Sequence, residues 1–204
     1  MAVETPGVVV GNQSDKYASG NPVVRWLTAR FLGELDAVLD SVHAAGATST
    51  LEVGAGEGVV TQRLYQRFGT AVGLDLPDAG LRAQWRGRPG PAYVHGDASR
   101  LPFADDAFDL VVAVEVLEHV PDPRAALSEL ARVSRAQLVL SVPRDPVFRL
   151  SNLAAGRHVR SLGNTPGHLN HWSGRDFVTL AATVGAVRAV VRPFPWTLVW
   201  IEVP

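Results

Sequence analysis

The 204-residue chain contains no cysteine, which excludes a disulfide framework, a thiolate metal site and a cysteine nucleophile together. It also lacks an excess of charge. The net charge at pH 7 is −1, so the molecule as a whole has no attraction for a polyanion, and nucleic acid is disfavoured as a partner. Lysine is almost missing: Lys16 alone represents it among 19 basic residues, and this arginine preference carries no functional weight. Long apolar runs are missing too, and stretches such as Leu110 to Val114 fall far short of the ~18 residues a membrane span needs. Met1 to Asp15 shows no basic segment followed by an apolar one. No membrane insertion and a cytoplasmic location are expected, with no repeat and no low-complexity tract.

Hydrophobic residues make up 47% and charged residues 19%, a globular composition rather than a disordered one. The length suits one domain. Residues 1–20 carry Gly, Asn, Ser and Pro without periodicity and read as a flexible N-terminal arm, leaving 21–204 as the domain. Asn21 and Pro22 form a cap and first turn, after which Val24, Leu27, Phe31, Leu35, Val38 and Val42 recur at helical spacing up to Gly46.

Strand and helix patterns then alternate. Strands are expected at 49–53, 71–76, 92–95, 108–114 and 137–142, and helices at 59–68, 78–85 (a poor one) and 123–133. The run Phe108 to Val114 is continuously apolar, as in a strand buried on both faces of a parallel sheet. Residues 144–172 read as irregular. Ser173 then caps a helix through Val184, and strands at 187–192 and 197–203 follow across a Pro-rich turn. Seven strands with crossover helices imply an α/β fold with a doubly wound sheet, which binds ligands at the carboxyl ends of its strands.

Leu51-Glu52-Val53-Gly54-Ala55-Gly56-Glu57-Gly58 lies between the first strand and the next helix. Glycines there let the backbone turn sharply and approach a ligand closely. A dinucleotide fingerprint wants a small residue three positions after the second glycine, where Val59 stands instead. Asp75 ends the second strand, where a carboxylate can accept from both hydroxyls of a ribose. Asp97 follows the third strand, where an acceptor can meet an adenine amino group. Acids at strand ends are also common turn formers, but two of them in register with a glycine turn form a pattern.

Residues 51–58, Gly73-Leu74-Asp75-Leu76, Gly96-Asp97-Ala98, Leu101-Pro102-Phe103 and Phe108-Asp109 through Glu115-Val116-Leu117-Glu118-His119-Val120 resemble, in order and spacing, the signatures of class I methyltransferases. The likeness is to the methyltransferase type 11 and ubiquinone-biosynthesis-methyltransferase-like group, and it covers about residues 45–145 closely. It implies a seven-stranded, mostly parallel sheet with an antiparallel last strand and helices on both faces, and S-adenosylmethionine as cofactor. It further implies that Glu52, Gly54, Ala55 and Gly56 approach the methionine part, and that Asp75 and Leu76 hold ribose and adenine. Asp97 and Ala98 would contact adenine, with Val114 and Glu115 beneath the sulfonium. Asp15-Lys16-Tyr17 resembles arms that fold over the cofactor in related enzymes, with Tyr17 capping the methionine carboxylate; a plain disordered arm is the alternative.

Methyl transfer from a sulfonium is an in-line displacement in which the protein chiefly aligns the reactants and excludes water. An oxygen acceptor of high pKa also needs a base or a metal to take its proton. Glu115, Glu118 and His119 are spaced to share one face of a turn, and His168 and His171 lie in the 144–172 region, the expected substrate-side loop. Glu115, Glu118 and His119 resemble the two-glutamate, one-histidine metal cluster of ubiquinone-pathway O-methyltransferases and, with His168 as fourth ligand, that of small-RNA 2′-O-methyltransferases. Many relatives with a Glu-His pair here are not known to need metal, so no metal is assigned. The reading carried forward makes His119 and His168 candidate catalytic acid/base groups, with structural hydrogen bonding as the alternative.

Arg144, Arg149, Arg157, His158 and Arg160 can read an anionic substrate or simply be solvated. Phe148, Trp172, Phe194 and Trp196 can line an apolar pocket or be core, and Trp200 reads as core. The expected function is methyl transfer to a small-molecule acceptor, oxygen ahead of nitrogen or carbon. Three alternatives stay open: an RNA or protein acceptor, a non-catalytic cofactor-binding relative, and a nicotinamide-dependent oxidoreductase. Neither the identity of the acceptor nor an oligomeric state follows from these residues.

Overall fold

Helix α1, Pro22–Ala44, begins where Asn21 Oδ1 accepts from the backbone of Val23 at 2.9 Å. The capping asparagine and the proline behind it satisfy or remove the first orphan donors of the helix. A computed structural model describes residues 19–154, 156 and 158–204 of the chain. The expectations for Asp15, Lys16, Tyr17 and Arg157, and most of the arm placed at 1–20, lie outside the described residues.

Seven strands, β1 Thr50–Val53, β2 Val72–Asp75, β3 Ala92–His95, β4 Phe108–Val114, β5 Ser134–Pro143, β6 Ala186–Val191 and β7 Trp196–Glu202, form one sheet in the order β3-β2-β1-β4-β5-β7-β6. The first five run parallel, and β7 lies antiparallel between β5 and β6. The order reverses between β1 and β4, so their carboxyl ends flank the crevice where doubly wound sheets take their ligands.

Period-two alternation divides the core. Val111 and Ala113 of β4 face α4, Pro123–Val133, and α6, Gly174–Ala181, together with Leu138, Leu140, Val199 and Ile201. Leu110, Val112 and Val114 face α1 and α2, Val59–Phe68, where Phe31, Leu35, Leu39 and Leu64 pack. Because β4 is covered on both faces, it reads in sequence as an unbroken apolar run. Asp36 and Asp40 of α1 pair with Arg63 and Arg67 of α2 at 2.5 and 2.6 Å and fix how those helices lie side by side.

Three expectations need correction. Strand β5 starts at Ser134, directly after α4, rather than at 137, because the β4–β5 register shifts between Phe108 and Leu110 and admits the extra residues. Helix α6 stops at Ala181 instead of Val184: Thr183 Oγ1 donates to the Leu180 carbonyl at 2.7 Å, and at Gly185 a Cβ would lie 2.3 Å from the carbonyl oxygen of Glu202. The chain must leave the helix early to bring that glycine against β7. The 144–172 stretch is not wholly irregular, for it holds α5, Val147–Ala154, and a 3-10 turn at Val159–Ser161. Helix α3, Ala79–Arg86, is real although short, and Asp78 caps it. No helix among the described residues is long and apolar enough to cross a membrane.

Candidate functional site

The β1–α2 turn is built on glycines in the left-handed region: φ is +77° at Gly54, +49° at Gly56 and +79° at Gly58. Position 54 is doubly constrained, since a Cβ there would also sit 2.3 Å from Cγ2 of Val116. The Gly54 and Ala55 amides both donate to the Leu74 carbonyl, at 2.8 and 3.0 Å, and draw the turn against β2. The Gly56 amide donates to Asp75 Oδ2 at 2.6 Å, and the Leu76 amide to Asp75 Oδ1 at 2.7 Å. One carboxylate therefore clasps the turn and the end of β2. An ionised carboxylate offers about four acceptor positions, so Asp75 keeps capacity for a ligand's hydroxyls. Burial pushes its pKa above the ordinary aspartate value, against the lowering effect of the two amides.

Glu52 is 2% exposed, and its Oε2 accepts from the Thr61 hydroxyl of α2 in a short hydrogen bond beneath the turn. Asp97 is exposed; its Oδ1 accepts from the amide and hydroxyl of Ser99 at 2.8 and 2.7 Å, so it shapes a turn as well as facing the crevice end of β3. Ala98 packs half-buried beside it. Val114 is buried at the end of β4, and Glu115 follows with φ +56°, its amide donating to the Ser141 carbonyl at 2.9 Å. A non-glycine residue in that region is uncommon.

Sequence reasoning missed the outer brace of the turn. Trp85, the buried residue of α3, donates from Nε1 to the Gly56 carbonyl at 2.9 Å and stacks on Tyr93 with ring centroids 4.8 Å apart. Arg88 Nε donates to the Glu57 carbonyl. The signal was a lone tryptophan in a short segment of eight residues, which pattern alone does not assign.

Past β4, the segment 117–120 is held by the far loop. Leu169 and Asn170 donate their amides to the Glu118 carbonyl at 2.8 and 3.1 Å, and Asn170 Nδ2 donates to the carbonyls of Val120 and Leu117 at 2.7 and 3.2 Å. Asn170 was missed as well, and nothing in its sequence neighbourhood marks it. These bonds bring His168 to His119, with ring centroids 4.9 Å apart, and stack it on Phe148 at 5.7 Å. Glu118, His119 and His168 each bring one ligating atom within 4.8 Å of the others. Glu115 is not a member of that group, so three of the four residues weighed as a cluster come together. His119 Nδ1 donates to the Gly167 carbonyl at 2.9 Å, which leaves Nε2 of the neutral ring as the acceptor. Glu118 is 1% exposed.

His171 lies outside the ligating trio, its ring centroid 6.4 Å from that of His168, and is paired through Nδ1 to Asp145 at 2.8 Å. That pair, with the Asp145 amide on the Trp172 carbonyl at 2.9 Å, clasps the two ends of the 144–172 loop. The aromatic residues do not form one pocket: Trp196 is core against Phe31, Trp172 packs on Phe177, and Phe194 is exposed. Only Phe148 reaches the histidines. Trp200 donates to Gln137 Oε1 at 2.6 Å and packs against the α1–α2 core, as expected.

Residues 51–140 match the family model described as Methyltransferase domain, and the sheet order is that of the Rossmann-like methyltransferase fold. Among curated relatives, demethylmenaquinone methyltransferase of Renibacterium salmoninarum is 34% identical over 113 residues, covering 54% of this chain and 48% of that protein. Demethylmenaquinone methyltransferase of Mycolicibacterium paratuberculosis is 44% identical over 103 residues, covering 48% of this chain and 44% of that one. The matched stretch thus spans about half the length of these relatives. In fold, the chain is similar to magnesium protoporphyrin IX methyltransferase of Synechocystis PCC 6803, solved with bound SAH, at a TM-score of 0.66 and 20% identity over 93% of this chain and 91% of that one.

Proposed function

We propose that this chain is an S-adenosylmethionine-dependent methyltransferase acting on a small-molecule acceptor in the cytoplasm, with oxygen as the preferred acceptor atom. The observation that carries the reading is the clasp of Gly56 and Leu76 by Asp75 at the switch point of the sheet. It presents bare backbone and a carboxylate with spare acceptor capacity side by side. A nucleoside fits that pair: hydroxyls at Asp75, base toward Leu76, Asp97 and Ala98, and the amino-acid end over Glu52, Gly54, Ala55 and Gly56 toward Val114 and Glu115. The cofactor would supply an activated methyl group on a sulfonium.

The protein's own part is placement and proton removal. The Gly54–Gly58 turn fixes the donor's position, and burial around Glu118 excludes water. His119 Nε2 or His168 takes the acceptor's proton, with Glu118 able to steady the imidazolium that forms. Oxygen is favoured because such a group is needed for a hydroxyl acceptor and idle for one that attacks without losing a proton first. Relatives named demethylmenaquinone methyltransferase support a small molecule over a polymer as acceptor. A chain without cysteine is compatible with a reducing compartment. Calorimetric titration with S-adenosylhomocysteine and with NAD tests the reading: micromolar binding of the first and none of the second is expected. The reverse result would replace the methyltransferase with an oxidoreductase.

A further inference from the structure

Three adjacent strands deliver polar side chains to a single point at the start of α6. Arg144 follows β5 directly, Arg192 follows β6 directly, and Thr197 lies in β7 between them, opposite Val142 of β5. Gly174 opens α6 behind the Ser173 cap. A Cβ on Gly174 would lie 3.2 Å from Thr197 Oγ1, 3.3 Å from Arg144 Cδ and 3.5 Å from Arg192 Nε, so all three converge on the glycine, the first two closer than a methyl group ordinarily comes.

Two of these donors have no partner among the described residues. Thr197 is 1% exposed, yet its Oγ1 has no hydrogen-bond partner, and the buried Nε of Arg144 has none either. Among the described residues neither arginine forms an ion pair: Asp145 turns to His171, Asp176 bonds Ser173, and Glu202 pairs with Arg188. From Pro146 to Gly174 the sequence contains no acid at all, although the chain as a whole carries a charge of −1. Two guanidinium groups, a buried hydroxyl and the first amides of a helix make a ready receptor for an oxyanion.

We infer that Arg144, Arg192, Thr197 and the Gly174 end of α6 form a binding subsite for a carboxylate or phosphate group carried by the methyl acceptor. The subsite rests on the functional reading above only for the identity of its ligand as the acceptor. It lies beyond the carboxyl end of β5, on the edge where Ser141 holds the Glu115 amide, and the Asp145–His171 pair ties it to the loop that carries His168. An acceptor anchored there by its anion has its other end directed toward the histidines.

Inorganic phosphate titrated at constant ionic strength, with chloride as the matched control, tests the subsite in the full chain. Saturable binding in the low-millimolar range is expected. Gly174→Ala, which fills the gap without opposing the helix, and Arg192→Gln should each weaken binding at least tenfold, and Thr197→Val about threefold. Benzoate should displace the phosphate and its methyl ester should not, which separates a carboxylate-bearing ligand from capture of free phosphate alone. S-adenosylhomocysteine affinity, measured on the same samples, reports folding and should not change. No saturable phosphate binding, or equal binding by wild type and Gly174→Ala as for an adventitious ion only, overturns the subsite and leaves the cofactor assignment standing. Phosphate binding with no S-adenosylhomocysteine binding supports the subsite and overturns the methyltransferase reading instead.

Discussion

Replacing Asp75 with alanine separates its structural role from its role toward a ligand. In the protein alone, the carboxylate accepts from Gly56 and Leu76 at 2.6 and 2.7 Å, bonds of a type worth about 1.5–3 kcal/mol each when the acceptor is charged. Burial opposes that gain, which is why the Asp75 pKa is raised rather than lowered. Near neutral pH the change in folding stability should therefore be small, within about 1 kcal/mol, a shift in Tm of no more than ~2–4 °C for a chain of this length. Ligand binding loses much more. Two ribose hydroxyls donating to one carboxylate are worth about 3–6 kcal/mol together, so affinity for S-adenosylhomocysteine should drop by roughly 10²–10⁴-fold.

The pH dependence has a definite sign. Because the folded pKa lies above the unfolded one, protonation of Asp75 favours the folded state. Its stabilising contribution is complete below the unfolded pKa and is lost as pH rises through the folded one. Cofactor affinity runs the other way and falls as acid protonates the acceptor. Calorimetry and thermal denaturation on the same samples measure both effects. A folded Asp75→Ala protein that binds S-adenosylhomocysteine within threefold of wild type would refute the assignment.

Gly33 lies within α1, and a Cβ added to it would meet nothing inside 4 Å, so Gly33→Ala should add about 1 kcal/mol of stability through helix propensity, read as a higher Tm. Asp109 is partly buried, which alone would raise its pKa, but the amides of Ser49 and Thr48 and the Thr48 hydroxyl at 2.9 Å together hold it well below the usual carboxylate range. Asp109→Asn should cost about 2 kcal/mol at neutral pH, and the wild type's advantage, present above the unfolded pKa, should vanish as pH falls through the folded one; urea titration at several pH values measures it. His168→Ala should lower kcat by about 10²–10⁴-fold with S-adenosylhomocysteine affinity unchanged, once an acceptor is in hand. A matching loss of cofactor affinity would make His168 structural.

The cofactor half of the site was legible because its determinants are short-range. Gly54, Gly56 and Gly58 announce positive φ angles, and Asp75 lies one strand away in a pairing that the βαβ connection enforces. The brace by Trp85 was not legible, because a helix of eight residues with one buried side chain has almost no pattern to read. Asn170 and Gly167 were hidden for a different reason. Their partners lie about fifty positions away, at Val120 and His119, and loop-to-loop hydrogen bonds leave no periodic trace. The early end of α6 follows from Gly185 meeting Glu202, a contact that exists only once β7 has inserted between β5 and β6.

That insertion explains why the two halves of the site differ in what they reveal. The stretch matched by the family model ends at residue 140, inside β5. It contains the turn, Asp75 and Asp97, which we propose hold the donor, and Glu118. His168, Arg144, Arg192 and Thr197 all lie beyond it, and the last three meet because an antiparallel strand doubles back along β5. On the proposed function, the donor's share of the site is therefore written before residue 140, and the acceptor's share is assembled after it. A search for this chain's acceptor should accordingly be steered by the charge and shape of the 144–197 surface, since similarity over 51–140 reports on the donor.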